Sequence, residues 1–416
     1  MLKNKEEMSR PERLIEVATA AWELRGHAAI SARYIAEAAD QRVSSIYYHF
    51  DDLERLLIES QAQAVDMARR WCVRQLDAMP ATLLPAMDAM PPLLAAVIQD
   101  WATSQRRLAF AWRECLLIAA RNPAYIPALD AWESLWGGFW KEVCQRCGVA
   151  EFATLTYYQF ASESLLHLLR TDPLVDSACL YELCRGWGNW LGGKPAEEGP
   201  WRRHARTEAM RTAAPVQQAG DVGDRISAAA ADLVTRQGPA SLTHRAVAAE
   251  AGLTLGAVSY HYRTSVDLIQ AAFEVIYHRV MDRNLTAHSD EDGYAQYRER
   301  SLAAVDSPQR AMGRQALNEL LVAVARDDTL KGFAAELRYL RGRTARRFLE
   351  ALLGRDDAGS PLEAALVSNL LFGIGHCYMG LDEAGKRRAT ERDLGLLETL
   401  ILTTRSADHG VIAPPA

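Results

Sequence analysis

The chain has 416 residues, enough for two to four domains of roughly 100–200 residues each. Apolar residues make up 49% and charged residues 24%, and no run approaches the roughly 18 consecutive apolar residues of a membrane helix, so a membrane protein is excluded. The net charge of −6 gives no global basic field, so any nucleic-acid contact must come from a local patch. Seven cysteines form an odd set, too sparse for a disulfide scaffold, and Met1-Leu2-Lys3-Asn4-Lys5-Glu6-Glu7 is charged with no apolar signal core. Both features predict a cytoplasmic protein.

Sliding the chain against itself by 212 residues aligns Arg13–Leu57 with Arg225–Ile269 without a gap. About ten of these positions are identical, among them Arg13/Arg225, Ala18/Ala230, Gly26/Gly238, Arg33/Arg245, Tyr48/Tyr260 and His49/His261. The apolar pattern repeats at the same offset. Leu14, Val17, Ala18, Ala21 and Trp22 share one helical face, as do Ile226, Ala229, Ala230, Leu233 and Val234. Each helix stops before a glycine, Gly26 or Gly238, which predicts a left-handed cap.

A second short helix follows in each copy, capped by Ser31 or Thr243 and covering Arg33–Ala39 or Arg245–Ala251. A tight turn then leads into a third, over Arg42–Phe50 or Thr254–Tyr262. Two short helices joined by three or four residues form a helix-turn-helix, and the second of them enters the major groove. Downstream, Glu114–Asn122 echoes Glu319–Asp327, so the whole half reads as duplicated. Gly192–Gly223, rich in Gly, Pro, Ala and charge, reads as a linker with a short basic helix over Trp201–Thr212. Helical periodicity runs nearly throughout and no alternating strand is found.

Each three-helix unit resembles the DNA-binding domain of the tetracycline-repressor (TetR) family. The resemblance rests on the first helix ending at Gly, the capped second helix, and the closing aromatic-His-aromatic runs Tyr48-His49-Phe50 and Tyr260-His261-Tyr262. It covers about fifty residues of each half. It implies an all-α fold of two tandem TetR-like units, each an N-terminal three-helix domain followed by a helical ligand-binding and dimerisation domain. The expected boundaries are 1–58 and 59–192 for the first unit, 193–222 for the linker, 223–270 and 271–405 for the second unit, and 406–416 for a tail.

The function so implied is a ligand-responsive bacterial DNA-binding regulator, a repressor, reading two half-sites of double-stranded DNA. Expected DNA contacts are Ser31, Arg33, Arg42, Ser44, Ser45, Tyr47, Tyr48 and His49 in the first head. In the second they are Thr243, His244, Arg245, Thr254, Gly256, Ala257, Ser259, Tyr260 and His261. Leu53 and Ser265 stand where the family usually has a phosphate-binding Lys; Arg55 and Arg263 are the nearest substitutes. The acidic net charge and this missing Lys keep a second reading open, a sensor or protein-interaction module whose heads do not bind DNA.

All ten tryptophans fall at or before Trp201. Trp101, Trp112, Trp132, Trp136 and Trp140 cluster in the first body, where a helical aromatic stripe is more often core than pocket. The pocket reading places a hydrophobic or aromatic effector against Trp101, Trp112 and Trp136, with Arg113 and Glu114 as orienting groups. Cys144-Gln145-Arg146-Cys147 reads as buried thiols rather than a zinc or redox site, and the lone His167 and His376 as core or surface residues. No catalytic, metal or cofactor motif is present, so neither an enzyme nor a cofactor is expected.

Apolar runs over Phe152–Leu169 and Leu174–Leu191, and over Leu362–Leu381 and Arg392–Thr403, lie where the family forms its dimer bundle. An intramolecular pseudo-dimer and a homodimer with four heads are both compatible with that placement.

Overall fold

The structure, a computed structural model, describes residues 8–212, 221–286, 294–303, 307–354, 359–374 and 382–406. His376, Cys377 and the end of the Leu362–Leu381 run lie outside them. The described chain is helical, with no strand among the described residues. In order the helices are α1 (Arg10–Leu24), α2 (Ala32–Ala38), α3 (Val43–Phe50), α4 (Leu53–Ala78), α5 (Ala86–Thr103), α6 (Arg106–Ala119), α7 (Ile126–Arg146), α8 (Ala153–Leu166), α9 (Pro173–Leu191) and α10 (Pro200–Thr212). There follow α11 (Asp221–Gln237), α12 (His244–Ala251), α13 (Leu255–His261), α14 (Ser265–Thr286), α15 (Tyr294–Ala303), α16 (Pro308–Arg326), α17 (Ala334–Tyr339), α18 (Arg343–Leu353), α19 (Pro361–Ile374) and α20 (Glu383–Ser406). They form two compact units, residues 1–81 with 100–143, and residues 82–99 with 144–416.

The first unit contains α1 to α4, α6 and most of α7. Local chemistry starts its helices. Ser9 and Glu12 form a reciprocal capping box at α1, and Asp52 caps α4 by accepting from the Arg55 N–H at 2.7 Å. The interior is aromatic: Trp71, Trp101, Trp112, Trp132, Trp136 and Trp140 are all at most 2% exposed. From α4, Gln61 donates to the Ala111 carbonyl at 3.0 Å and accepts from Trp132 at 3.2 Å, so one buried amide ties α4 to α6 and α7.

The second unit is organised around α8 and α19, which pack along each other and are flanked by α9 and α20. Their seam is polar at its centre. Gln159 donates to the Leu366 carbonyl at 2.8 Å, Ser162 to the Asn369 carbonyl at 2.6 Å, and Asn369 to Gln159 and Glu163, both at 3.2 Å. At Gly373 a Cβ would lie 2.4 Å from the Tyr158 Cβ, so this approach admits no side chain.

The predicted linker is partly a docked helix. Glu182 on α9 accepts from the Trp201 and Arg202 N–H groups at 3.1 and 2.8 Å, placing a carboxylate at the positive end of α10. Ala205 and Ala209 of α10 are buried with Cys179, Tyr339 and Leu340. Arg338 of α17 is 2% exposed, and its charge is fully engaged. It donates to the Leu169 carbonyl at 2.9 Å, bonds His167 Nδ1, and pairs with Asp176 at 3.2 Å; Tyr339 donates to the same carboxylate at 2.6 Å.

Burial, reinforced by the charge of Arg338, lowers the His167 pKa from 6.5 to about 3. Between these values the unfolded chain takes up a proton that the folded chain refuses, so stability is lost as pH falls through this window, by at most about 1.4 kcal/mol per pH unit from this one group. The urea midpoint should therefore drop between pH 7 and pH 5, and His167→Gln should flatten that drop. An unchanged slope in the variant would assign the acid sensitivity to other groups.

Candidate nucleic-acid interface

The two helix-turn-helix segments share one hydrogen-bond skeleton. Ser31 accepts from the Tyr34 N–H at 3.2 Å, and Thr243, 212 residues on, accepts from the Ala246 N–H at 3.1 Å. The turn closes in both with the same long bond, Gln41 N–H to the Ala36 carbonyl at 2.8 Å and Leu253 N–H to the Ala248 carbonyl at 2.9 Å. It requires a left-handed residue. Gly252 supplies it at φ +64°, and Asp40, of a residue type that tolerates this region, does so at φ +53°. Gly26 and Gly238 differ from expectation. They follow their helices with φ +70° and +85° but ψ near 160°, an extended positive-φ conformation that glycine alone adopts easily, and they begin a short 3-10 turn rather than a left-handed cap.

Each head closes over a small apolar core, Leu14, Ala18, Trp22, Ile35 and Ile46 in the first and Ile226, Ala230, Val234, Val247 and Val258 in the second, all buried. On the opposite face of α3, Arg42, Ser44, Tyr47, Tyr48 and His49 are exposed; Ser45 is half-buried. Thr254, Gly256, Ser259, Tyr260 and His261 are exposed in the second head, with Ala257 half-buried. Tyr48 is 83% exposed and Tyr260 82%, each edge-on to the following His ring. Arg42 is the N-cap residue of α3 rather than its first helical residue, and makes no side-chain capping bond. Thr254 does cap α13, accepting from the Ala257 N–H at 3.2 Å.

Other expected contacts have partners inside the protein. Arg33 pairs with Glu37 at 2.8 Å on the exposed side of α2, and Arg55 with Glu59 at 3.0 Å. His244 is half-buried, with Nε2 at 2.8 Å from the Tyr262 carbonyl, so it ties the start of α12 to the end of α13. Ser31, Thr243 and Arg245 are exposed.

The first head is bound to α6 by charge and by a backbone bond. Arg106 pairs with Glu23 at 3.1 Å, Arg107 pairs with Glu16 at 2.6 Å, and Glu114 accepts from the His27 N–H at 3.1 Å. Burial lowers the His27 pKa, against the opposing charges of Glu114 and Glu54.

The proposed pocket residues do come together, as core. Trp101 and Trp136 lie edge to face at 4.7 Å, Trp112 and Trp136 are tilted at 5.3 Å, and the Arg113 guanidinium sits over the Trp112 ring at 3.9 Å. The ring faces that an aromatic effector would stack on are covered by other rings, and Glu114 is committed to the head. The six described cysteines are buried free thiols; burial pushes Cys72 and Cys144 up to about 12. Among the described residues no group of His, Cys, Asp and Glu is placed to hold a metal, and no helix is long and apolar enough to cross a membrane.

Two substitutions test these placements. A Cβ at Gly252 would meet no atom within 4 Å, so Gly252→Ala should cost only its backbone strain, about 1 kcal/mol, and Gly252→Asn less. Equal stability of the Ala variant in urea would mean that the turn is not held left-handed. Trp112→Ala, which empties a packed interior, should cost about 3–5 kcal/mol. A loss below about 1 kcal/mol would return Trp112 to the pocket reading.

No family model matches the chain, and no curated protein matches it. Among solved structures it is similar to a Rhodococcus sp. protein assigned to the TetR-family transcriptional regulators, at 20% identity and a TM-score of 0.34, over 44% of this chain and 100% of that one.

Proposed function

We propose that the chain is a ligand-responsive DNA-binding transcriptional regulator, a repressor, with two nonidentical reading heads in one polypeptide. The observation that carries this reading is the exposed face of α3 and α13, where Tyr48-His49 and Tyr260-His261 stand in the same register on the same capped turn. A large aromatic at more than four-fifths exposure contributes nothing to its own core; two at one register suit a face that binds a partner. Each of these helices docks in the major groove while Ser31, Arg33, Thr243 and Arg245 lie toward the phosphates. The α8–α19 seam supports an intramolecular pseudo-dimer, since it pairs within one chain the runs that subunits of the resembled family pair between chains.

The reading faces differ at most exposed positions: Arg42/Thr254, Ser44/Gly256 and Tyr47/Ser259. DNA selected from a random pool should therefore hold two unlike half-sites about 34–36 Å apart, or a multiple of that, with the half under the first head more sharply specified. Arg42→Ala should relax that half and cost about 1–3 kcal/mol, whereas Tyr48→Phe should weaken all sequences alike. A palindrome bound by one chain contradicts unlike reading. A palindrome bound by two chains means that like heads pair across a homodimer, and a pool with no enriched sequence favours the sensor or interaction module.

A further inference from the structure

The second helical body departs from the first at one place that the DNA-binding reading leaves unused. The bodies correspond with an offset of 205 residues: Asn122 and Asp327 both cap a 3-10 turn, accepting from the Ala124 and Thr329 N–H groups at 3.1 and 2.9 Å. At this offset Trp112, Trp132, Trp136 and Trp140 correspond to Leu317, Leu337, Arg341 and Ala345. Where α7 runs unbroken through the tryptophan core, its counterpart breaks between α17 and α18 at Leu340–Gly342, with Gly342 at φ +104°. Large rings are replaced there by smaller side chains and one cation.

That cation is poorly matched. Arg341 Nε is sealed from solvent and has no hydrogen-bond partner among the described residues, although the residue as a whole keeps some exposure. Its Nη2 donates to the Ser368 hydroxyl at the long distance of 3.5 Å, and the guanidinium lies 5.0 Å from the centre of the Phe372 ring. Among the described residues no carboxylate forms an ion pair with it. Glu163, which accepts from Asn369, and Tyr277 favour its ionised form electrostatically. Burial lowers the Arg341 pKa from its usual value. Arg338, three residues earlier, shows the contrast, with a carboxylate, two carbonyls and an imidazole around one guanidinium. A desolvated charge without such partners is costly, and an incoming anion recovers that cost.

We propose that Arg341 is the anchor of an effector site in the second body, and that its ligand is a small apolar monocarboxylate. Arg341 and Ser368 hold the carboxylate, while Phe372 receives the apolar part. One guanidinium balances one negative charge; a dianionic phosphate would bring a second charge into an apolar setting with a single hydroxyl to meet it. This rests on the regulator reading for its consequence, release of DNA, but not for binding itself.

The test uses the full chain and thermal unfolding with benzoate, phenylacetate and decanoate at millimolar concentration, against benzyl alcohol, decanol and inorganic phosphate. At least one carboxylate should raise the Tm above its uncharged counterpart, with no shift from phosphate, and its calorimetric Kd should rise about tenfold or more in Arg341→Gln. Ligand-free Arg341→Met should melt higher than the parent, because an uncompensated charge is removed. No carboxylate-specific shift, an unchanged Kd in Arg341→Gln, or a lower Tm for ligand-free Arg341→Met would each overturn the proposal. Binding of the parent chain to its selected DNA is measured in parallel by fluorescence anisotropy. Carboxylate binding without DNA binding defeats only the regulator reading, and DNA binding without carboxylate binding defeats only this one.

Discussion

The contact on which the second unit depends is the polar seam between α8 and α19. An apolar helix pair can slide by a turn at small cost, because one leucine contact resembles the next. This pair cannot. Gln159, Ser162 and Asn369 are buried and each donates across the seam, so a shifted register would strand several polar groups, at about 1–3 kcal/mol for each. Gly373 fixes the depth of approach as those bonds fix the register. Gln159 and Ser162 each reach a carbonyl 207 residues further on, and α8 and α19 start 208 residues apart.

The two halves differ in what fills them. The first body buries indole rings against one another and ties its head to α6 through Glu16, Glu23 and Glu114. The individual ion pairs, partly exposed, contribute little, about 0–1 kcal/mol each; the shared apolar surface of α1, α4 and α6 makes the head and its body one piece. The second body spends its polar groups differently. Arg338, Asp176, His167 and Tyr339 form a network that joins α17 to α9 and to the α8–α9 connection within the second unit.

What could be read from the sequence was what local chemistry decides. The Ser31 and Thr243 caps, the turn at Asp40 and Gly252, the 3.6-residue periodicity of the head helices and the helix over Trp201–Thr212 all rest on residues within a few positions of one another. The recognition-helix start shifted by one residue, to Val43, because an extended Arg42 without a capping side chain looks like a first helical residue. Tertiary chemistry was not readable. Gly192–Gly223 has a linker's composition, and nothing local indicates that Glu182 caps α10 or that Ala205 and Ala209 bury against Tyr339. His244 looks like a contact to phosphate until the Tyr262 carbonyl is seen beside it. The tryptophan stripe favours core over pocket in one dimension without excluding either; the ring-on-ring packing separates them. Arg341 carried no signal at all, since an arginine becomes informative only when its surroundings fail to match it.

On the proposed reading, joining two heads in a single chain also changes what each head must achieve. Two separate subunits must recognise DNA at the expense of their own association. A covalently joined second head meets its half-site at an effective concentration in the millimolar range once the first has docked. A head that binds weakly alone then adds useful affinity. The second head fits that role. Its helix α13 shows Gly256 and Ser259 where α3 shows Ser44 and Tyr47, so it offers fewer side chains long enough to reach base edges, while keeping the Thr243 cap and the exposed Tyr260-His261 pair. Sequence choice can thus be concentrated in α3 and affinity shared between both heads. On the same reading, an effector that kept both half-sites from being reached together would remove the affinity gained by tethering.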